Sequence, residues 1–369
     1  MKRVKILLLV IIILQFMFWG CQNKQETIIL GATFPLTGEV ASYGIKAKNG
    51  IQLKIDEINK EGIHGKRIFI DFQDDKNSIK DAVSIFNNFS HIKNYPVVFG
   101  SAGSSVSEAL LPISLKEKVI LISPISSSAT LSSEEWKYFF RTVPSDDQQA
   151  NRLATWVFSD SIKNVAMVYT NNSWGKPLAE SFIELFKGYG GNIVFAEGTP
   201  EGISDFKTII HKLKQTKFDA IISPTYPKEG GLLVKQLKES GIKTNLYGGD
   251  NWGAPEFLSI AGNTAEGVFF TFPSDSKSQL WDSFFEKYKN TYNEEPDIIA
   301  AYAYDAASAI VKAIVKSEKL SSEEIRTQLL LLNFEGVTGK ISFKVNGDID
   351  TEGYGKKKIE NGKVLTINN

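Results

Sequence analysis

Two clusters of serines follow predicted strands, and their donor groups suit a small anion. The first is "FGSAGSSVSEALLPI", residues 99–113, in which Ser104 and Ser105 open a predicted helix. The second is "ISPISSSATL", residues 122–131, which carries hydroxyls and no charge. The unpaired N–H groups of a helix N-terminus hold a carboxylate well. The alternative is that Ser104 or Ser105 only caps its own helix.

The sequence motifs of phosphate binding and of common catalysis do not occur at these turns. The turn after the first predicted strand reads "TGEVASYG" and lacks G-x-G-x-x-G, while "GSAGSSV" lacks the ending of a P-loop and the spacing of a nucleophile elbow. The three histidines, His64, His91 and His211, lie on predicted helices or turns away from the strand ends. With one cysteine there is no Cys/His cluster for a transition metal. We therefore expect no metal site and no cofactor, and an enzyme is the least supported class.

Composition predicts an ordinary globular protein. The chain has 369 residues, of which 42% are hydrophobic, and 42 basic residues balance 42 acidic ones. This length corresponds to two or three domains. Because the net charge is zero, no overall field attracts phosphate backbones, and we expect no nucleic-acid partner.

The N-terminus has the pattern of an export signal. Three basic residues within the first five precede an apolar run over residues 6–18, which is shorter than the roughly 20 residues of a membrane span. Cys21, the only cysteine, follows a glycine and precedes polar residues, as at a bacterial lipoprotein junction. We predict a signal peptide at 1–20, lipidation at Cys21 and a tether at 21–26. The alternative is a secreted protein cut nearby, with an incidental thiol.

Predicted strands and helices alternate in two successive sets. "TIILGATF", residues 27–34, has the pattern of a strand, and residues 44–62 place isoleucines on one helical face. The alternation starts again near Asp146. Because strands that alternate with helices form parallel sheets covered on both faces, the two sets predict two α/β lobes. Further helices are predicted near 276–293, 298–317 and 322–332, followed by a glycine-punctuated hairpin region near 338–367.

Several fragments together resemble the leucine/isoleucine/valine-binding branch of the type I periplasmic solute-binding proteins of ABC importers. They include "GATFPLTGEVASYG", "GSAGSS", "LISP", "YFFRTVPSDDQQ", "LYGGD", "IAGNTAEGV" and "AYAYDAASA", in the order and spacing of that family. The resemblance implies two doubly wound parallel-sheet lobes joined by a three-crossing hinge. Lobe 1 would comprise 27–145 and 275–350, and lobe 2 would comprise 146–274 and 351–369. The crossings would lie near 144–147, 273–275 and 348–352, and Asp146 and Asp147 would mark the first crossing and cap the helix that follows.

The resemblance also implies which residues bind the ligand. The helix start at Ser104 and Ser105 would hold the α-carboxylate together with Ser127, and the carbonyl of Ile125 would accept the ammonium. The remaining contacts would come from Tyr43 of the first lobe and from Trp174, Tyr226 and Asp250 of the second.

Two of these positions depart from the family pattern. Asp250 stands where glutamate is common and is one methylene shorter, so that contact with an ammonium requires a closer ligand or a bridging water. Trp174 is larger than the usual tyrosine. Each aromatic residue, Tyr43 and Tyr226 included, has an alternative interpretation as lobe core, and Trp252 is a weaker candidate for ligand contact.

The function that the resemblance implies is that of an extracytoplasmic substrate-binding lipoprotein of an ABC importer. It would close on a branched-chain or other aliphatic amino acid and deliver it to a membrane permease. We expect a monomer in the periplasm or at the outer face of the cell membrane, anchored through Cys21. The alternatives are a ligand-sensing subunit of a membrane receptor, or an importer component for an amide or a small carboxylate.

Overall fold

The computed structural model describes residues 27–273, 278–351 and 353–367. The predicted signal peptide, the tether and Cys21 lie outside the described residues. The strands in the described part are β1 Thr27–Phe34, β2 Arg67–Asp74, β3 Val97–Gly100, β4 Ile120–Ser123, β5 Phe139–Arg141, β6 Asn164–Thr170, β7 Asn192–Thr199, β8 Ala220–Ser223, β9 Asn245–Gly248, β10 Phe269–Pro273, β11 Phe334–Gly336, β12 Gly339–Ile341, β13 Tyr354–Glu360 and β14 Lys363–Ile367.

The helices surround these strands. They are α1 Ala41–Ile58, α2 Ile79–Asn87, α3 Ser104–Glu117, α4 Asp146–Ser159, α5 Gly175–Gly188, α6 Lys207–Lys214, α7 Pro227–Glu239, α8 Pro255–Ala261, α9 Trp281–Tyr292, α10 Ile298–Lys316 and α11 Ser322–Leu330.

The first lobe is built on a wholly parallel sheet with the strand order β2-β1-β3-β4-β5. Its central strands β3 and β4 are buried along their whole length, as expected for a sheet covered on both faces. Alternate side chains of β3 pack on opposite faces of the sheet. Val97 and Phe99 pack against α1 and α10, and Val98 packs against α2 and α3.

The second lobe has a mixed sheet, with the order β14-β13-β10-β9-β8-β6-β7. Strands β6 to β10 are parallel to one another, but β13 runs antiparallel to β10, and β14 runs antiparallel to β13. The predicted parallel sheet is thus present in β6 to β10, and the hairpin β13–β14, which lies in the predicted hairpin region, extends it antiparallel at one edge. Asn361 and Gly362 both have positive φ and form the two-residue turn that makes β14 antiparallel to β13.

Helix α10 fills the first lobe against α1. By length and composition it is the one helix of the described residues that is apolar enough to cross a membrane, yet it is mostly buried inside the fold. Its approach to α1 depends on Gly50, because a Cβ added there would lie 2.1 Å from the carbonyl oxygen of Ala300. Backbone atoms of packed helices cannot shift cheaply, so this contact requires glycine.

Gly50→Ala is expected to destabilise the protein by about 1–3 kcal/mol, as overpacking of a core does. Gly188→Ala is the matched control, since the last residue of α5 has open space around an added Cβ and alanine favours helices. Urea unfolding of the two variants measures the difference. Equal midpoints would contradict the close approach.

Candidate functional site

A cavity of about 450 Å³ lies between the two lobes, at the edge where the parallel strands end. Both lobes contribute to its walls. Seven of the eight predicted ligand residues line it: Tyr43, Ser104, Ile125, Ser127, Trp174, Tyr226 and Asp250.

Ser105 is the predicted residue that does not line this cavity. Helix α3 begins at Ser104, and the next side chain points about 100° further around the helix axis because a turn contains 3.6 residues. The alternative role as a helix cap is also not what the structure has, since Gly103 occupies the cap position. Ser104 Oγ instead accepts a hydrogen bond from the Ser128 N–H at 3.3 Å, which joins the two serine clusters.

The ligand-side loop, which we define as residues 124–128, follows β4. Hydrogen bonds of the Ser123 side chain hold it in place. Ser123 Oγ donates to the Ser101 carbonyl at 2.7 Å and accepts from the N–H groups of Ile125 at 3.2 Å and Ser126 at 2.9 Å. The loop therefore presents the Ser127 side chain to the cleft in a defined position.

An aromatic wall faces this loop from the second lobe. The rings of Trp174 and Tyr226 stack with centroids 5.0 Å apart and planes 12° apart. Asn172 orders both residues: its Oδ1 accepts from the N–H groups of Trp174 at 3.0 Å and Gly175 at 2.9 Å, and its Nδ2 donates to the Tyr226 hydroxyl at 3.1 Å. Asn172 was not among the predicted site residues, although asparagine just before a helix is a common capping signal.

Two acidic side chains lie at the polar end of the site. Asp250 follows β9 and lines the cavity, and the Asn251 N–H donates to its Oδ1 at 3.0 Å. Asp146 is almost fully buried, and its Oδ2 accepts from the Ser127 hydroxyl at 3.1 Å. Burial raises the pKa of both carboxyl groups, and the charge of Asp250 further raises the pKa of Asp146. The two groups thus form one electrostatic unit.

Asp146 was predicted only to mark a crossing and to cap a helix. The cap is in fact Ser145, whose hydroxyl accepts from the Asp147 N–H. The other carboxylate oxygen of Asp146, Oδ1, is buried without a hydrogen-bond partner among the described residues. The sequence signal was the pair of aspartates that begins α4, but nothing in it indicated the burial of Asp146.

The cleft is closed by contacts between the lobes. The Tyr43 hydroxyl donates to Asn251 Oδ1 at 2.9 Å, and the Ser128 hydroxyl donates to the Ser173 carbonyl at 2.6 Å. At the surface, the side chain of Lys228 forms an ion pair with that of Glu39 at 2.7 Å. Tyr43 therefore contributes to closure as well as to the cavity wall.

Trp252, the weaker candidate, belongs to the core of the second lobe. Its side chain is fully buried, its indole N–H donates to Thr225 Oγ1 at 3.1 Å, and its ring stacks on Phe257. It does not line the cavity, because the chain turns after Asp250 and directs this ring inward.

Asp146→Asn is expected to raise the thermal stability of the ligand-free protein at pH 7.5. A raised folded-state pKa means that stability is present at low pH and is lost as the pH rises, and asparagine resembles the neutral acid at every pH. The gain should shrink toward pH 5. Asp282→Asn, at an exposed site, is the control and should leave the melting temperature nearly unchanged. A gain that does not depend on pH would contradict the charge argument.

Comparison with known proteins agrees with this architecture. A family model described as periplasmic binding protein matches residues 27–353. The Leu/Ile/Val-binding protein BraC3 of Rhizobium johnstonii is 29% identical over 342 residues, which cover 92% of this chain and 93% of that protein.

Solved structures give the same result. The branched-chain amino acid transporter substrate-binding protein LivJ from Streptococcus pneumoniae, in complex with isoleucine, is 31% identical and has a TM-score of 0.83 over 93% of this chain and 99% of that one. A solute-binding protein from R. palustris in complex with benzoate has a TM-score of 0.81 over 92% of this chain and 95% of that one, but at 16% identity it shows a likeness of fold alone. The resemblance in the sequence is thus confirmed, and the chain belongs to the periplasmic binding protein family, with its two-lobe α/β fold.

Proposed function

We propose that the protein captures a branched-chain or other aliphatic amino acid in the interlobe cavity and delivers it to the permease of an ABC importer. The observation that carries this proposal is the polarity of the cavity. Ser104 and Ser127 of the first lobe, which carry neutral hydrogen-bond donors, line the same cavity as Asp250 of the second lobe. Such a pairing suits a zwitterion, and the names of the Rhizobium and Streptococcus relatives point to the same class of ligand.

The carboxylate end of the ligand would be held by the first lobe. Ser104 places its hydroxyl and the first N–H groups of α3 at the cavity wall, and Ser127 adds a second hydroxyl. A helix N-terminus favours an anion because its N–H groups are unpaired and its dipole is positive there. The carbonyl of Ile125, which also lines the cavity, would accept the ammonium.

The ammonium and the side chain would be held mainly by the second lobe. Asp250 provides the opposite charge in a site largely removed from water, where an ion pair is stronger than at the surface. The stacked rings of Trp174 and Tyr226, with Tyr43 opposite, supply apolar surface for an aliphatic side chain.

Closure of the two lobes would couple binding to transport. We assign lobe 1 to 27–145 and 275–350 and lobe 2 to 146–274 and 351–369, with crossings near 144–147, 273–275 and 348–352. Strands β1 to β5 pairing in one sheet and β6 to β10 in the other support this division. Ligand bound to one lobe favours the closed form through its contacts with the other.

The same proposal places the protein outside the cytoplasm as a monomeric lipoprotein without enzymatic activity. Cys21 would carry the lipid after removal of residues 1–20, and residues 21–26 would connect it to β1. The anchor would keep the protein in the periplasm or at the outer face of the cell membrane, near the permease.

Growth of the expressing cells with radiolabelled palmitate tests the anchor directly. The wild-type chain should carry label and appear in the membrane fraction, whereas Cys21→Ser should be unlabelled and released. Label on the serine variant, or none on the wild type, would contradict lipidation at this residue.

A thermal-shift screen followed by calorimetry tests the ligand class. The soluble form starting at Gln22, refolded from denaturant to remove carried ligand, is mixed with leucine, isoleucine, valine, other amino acids, amides and carboxylates. Leucine in large excess should stabilise the native state by several kcal/mol. Its analogue without an amino group, 4-methylpentanoate, should give a much smaller shift. A shift with carboxylates alone would overturn the amino-acid assignment.

Asp250→Ala should weaken leucine binding by about 2 kcal/mol or more, roughly 30-fold, because the ammonium would lose its buried counter-charge. Asp282→Ala, on the exposed surface of α9, is the control and should bind as the wild type does. Titration calorimetry measures both. An unchanged dissociation constant for the Asp250 variant would show that this carboxylate does not hold the ligand.

A further inference from the structure

Arg141 is a fully buried cation directly beneath the ligand-side loop. It ends strand β5, and its side chain has no exposed surface. Its Nε donates to Asp348 Oδ1 at 2.6 Å. One terminal nitrogen donates to the carbonyls of Ser128 at 2.8 Å and Ser126 at 3.4 Å, and the other donates to the Ser132 hydroxyl.

The acceptors of Arg141 belong to two different parts of the site. The two loop carbonyls stand on either side of Ser127, which lines the cavity and whose hydroxyl donates to Asp146. Asp348 lies at the predicted third crossing between the lobes. The backbone repeats the connection, since the Arg141 N–H donates to the Gly347 carbonyl at 3.0 Å. One side chain therefore ties the ligand-side loop to the hinge.

This arrangement requires an arginine for physical reasons. A buried cation is stable only when it is paired and fully hydrogen-bonded. The planar guanidinium presents donors in several fixed directions, whereas a lysine ammonium is a compact charge on a flexible stem. Lysine would keep the charge near Asp348 but would not hold both loop carbonyls at once.

We propose that Arg141 is a positioning residue that holds Ser127 in its ligand-binding position and couples that position to residues 346–348, which lead into the third crossing near 348–352. The proposal goes beyond the proposed function and rests on it only for the choice of ligand. Ser128 extends the coupling, because its hydroxyl bonds the Ser173 carbonyl of the second lobe while Arg141 holds its carbonyl.

The charge of Arg141 has a second effect at the site. It lowers the pKa of Asp146, which Asp250 and Asp147 raise together with burial. The other groups near this carboxyl are the Ser127 hydroxyl and the phenols of Tyr226 and Tyr354, whose own pKa values Asp146 raises. Loss of the guanidinium should therefore move protonation of Asp146 to higher pH.

Three variants separate positioning from charge. Arg141→Met removes both the hydrogen-bond donors and the charge. Arg141→Lys keeps the charge but lacks the several donors of the planar guanidinium. Arg326→Met is the matched control, because Arg326 also donates to a backbone carbonyl, that of Lys137 at 2.6 Å, but lies on the first lobe away from the cavity. Each soluble variant is titrated with leucine between pH 5 and 8.

We expect Arg141→Met to bind leucine at least tenfold more weakly at pH 7.5 and to lose affinity at a higher pH than the wild type. Arg141→Lys should also lose affinity but keep the wild-type pH profile, and Arg326→Met should match the wild type throughout. Wild-type affinity in both Arg141 variants would overturn the proposal. A loss of affinity in Arg141→Met with an unshifted pH profile would overturn the charge effect.

Hydrogen exchange of the ligand-free proteins gives a readout that does not depend on the ligand. In Arg141→Lys, amides of residues 124–132 and of residues 346–350 should lose protection together, while the strands of the second sheet keep theirs. Loss confined to one of the two segments would overturn the coupling. A wild-type chain that binds no amino acid would instead refute the proposed function, and this exchange result would still decide the role of Arg141.

Discussion

The buried carboxyl groups of Asp146 and Asp250 are the constraint on which the site depends. Closure removes both from water, where an ionised group is costly unless an opposite charge or several donors stabilise it. Arg141 and the Ser127 hydroxyl stabilise the ionised carboxyl of Asp146, and the Asn251 N–H stabilises that of Asp250. A ligand ammonium supplies the rest, so the closed form and the ligand stabilise each other.

Local patterns in the sequence predicted most of the fold. Strand β1 spans the predicted 27–34, and the predicted helices near 298–317 and 322–332 correspond to α10 and α11 within two residues. The spacing of apolar residues in these elements matches the positions that are buried, and the sequence therefore predicted them. Helix α1 begins at Ala41 rather than 44, because no strong capping residue marks its start. The antiparallel edge of the second sheet was missed, since strand direction follows from pairing partners distant in sequence.

The site was predictable where a family pattern or a strand end pointed to it. Seven of the predicted residues line the cavity. Ser105 does not, because one step along a helix changes the direction of a side chain. The role of Asp146 was not predictable, since its burial and its bond to Ser127 join segments that only the folded chain brings together. Arg141 was hidden in the same way: within "YFFRTVPSDDQQ" it is one more residue of a short strand.

Away from the crossings, the described residues form few polar contacts between the lobes: two buried or half-buried hydrogen bonds and one exposed ion pair, Lys228 with Glu39. Bonds of this kind contribute about 1 kcal/mol each or less. The open and closed populations are therefore set mainly by the ligand, not by the protein's own surfaces. A membrane partner that prefers the open lobes by only a few kcal/mol can shift that balance and release the cargo.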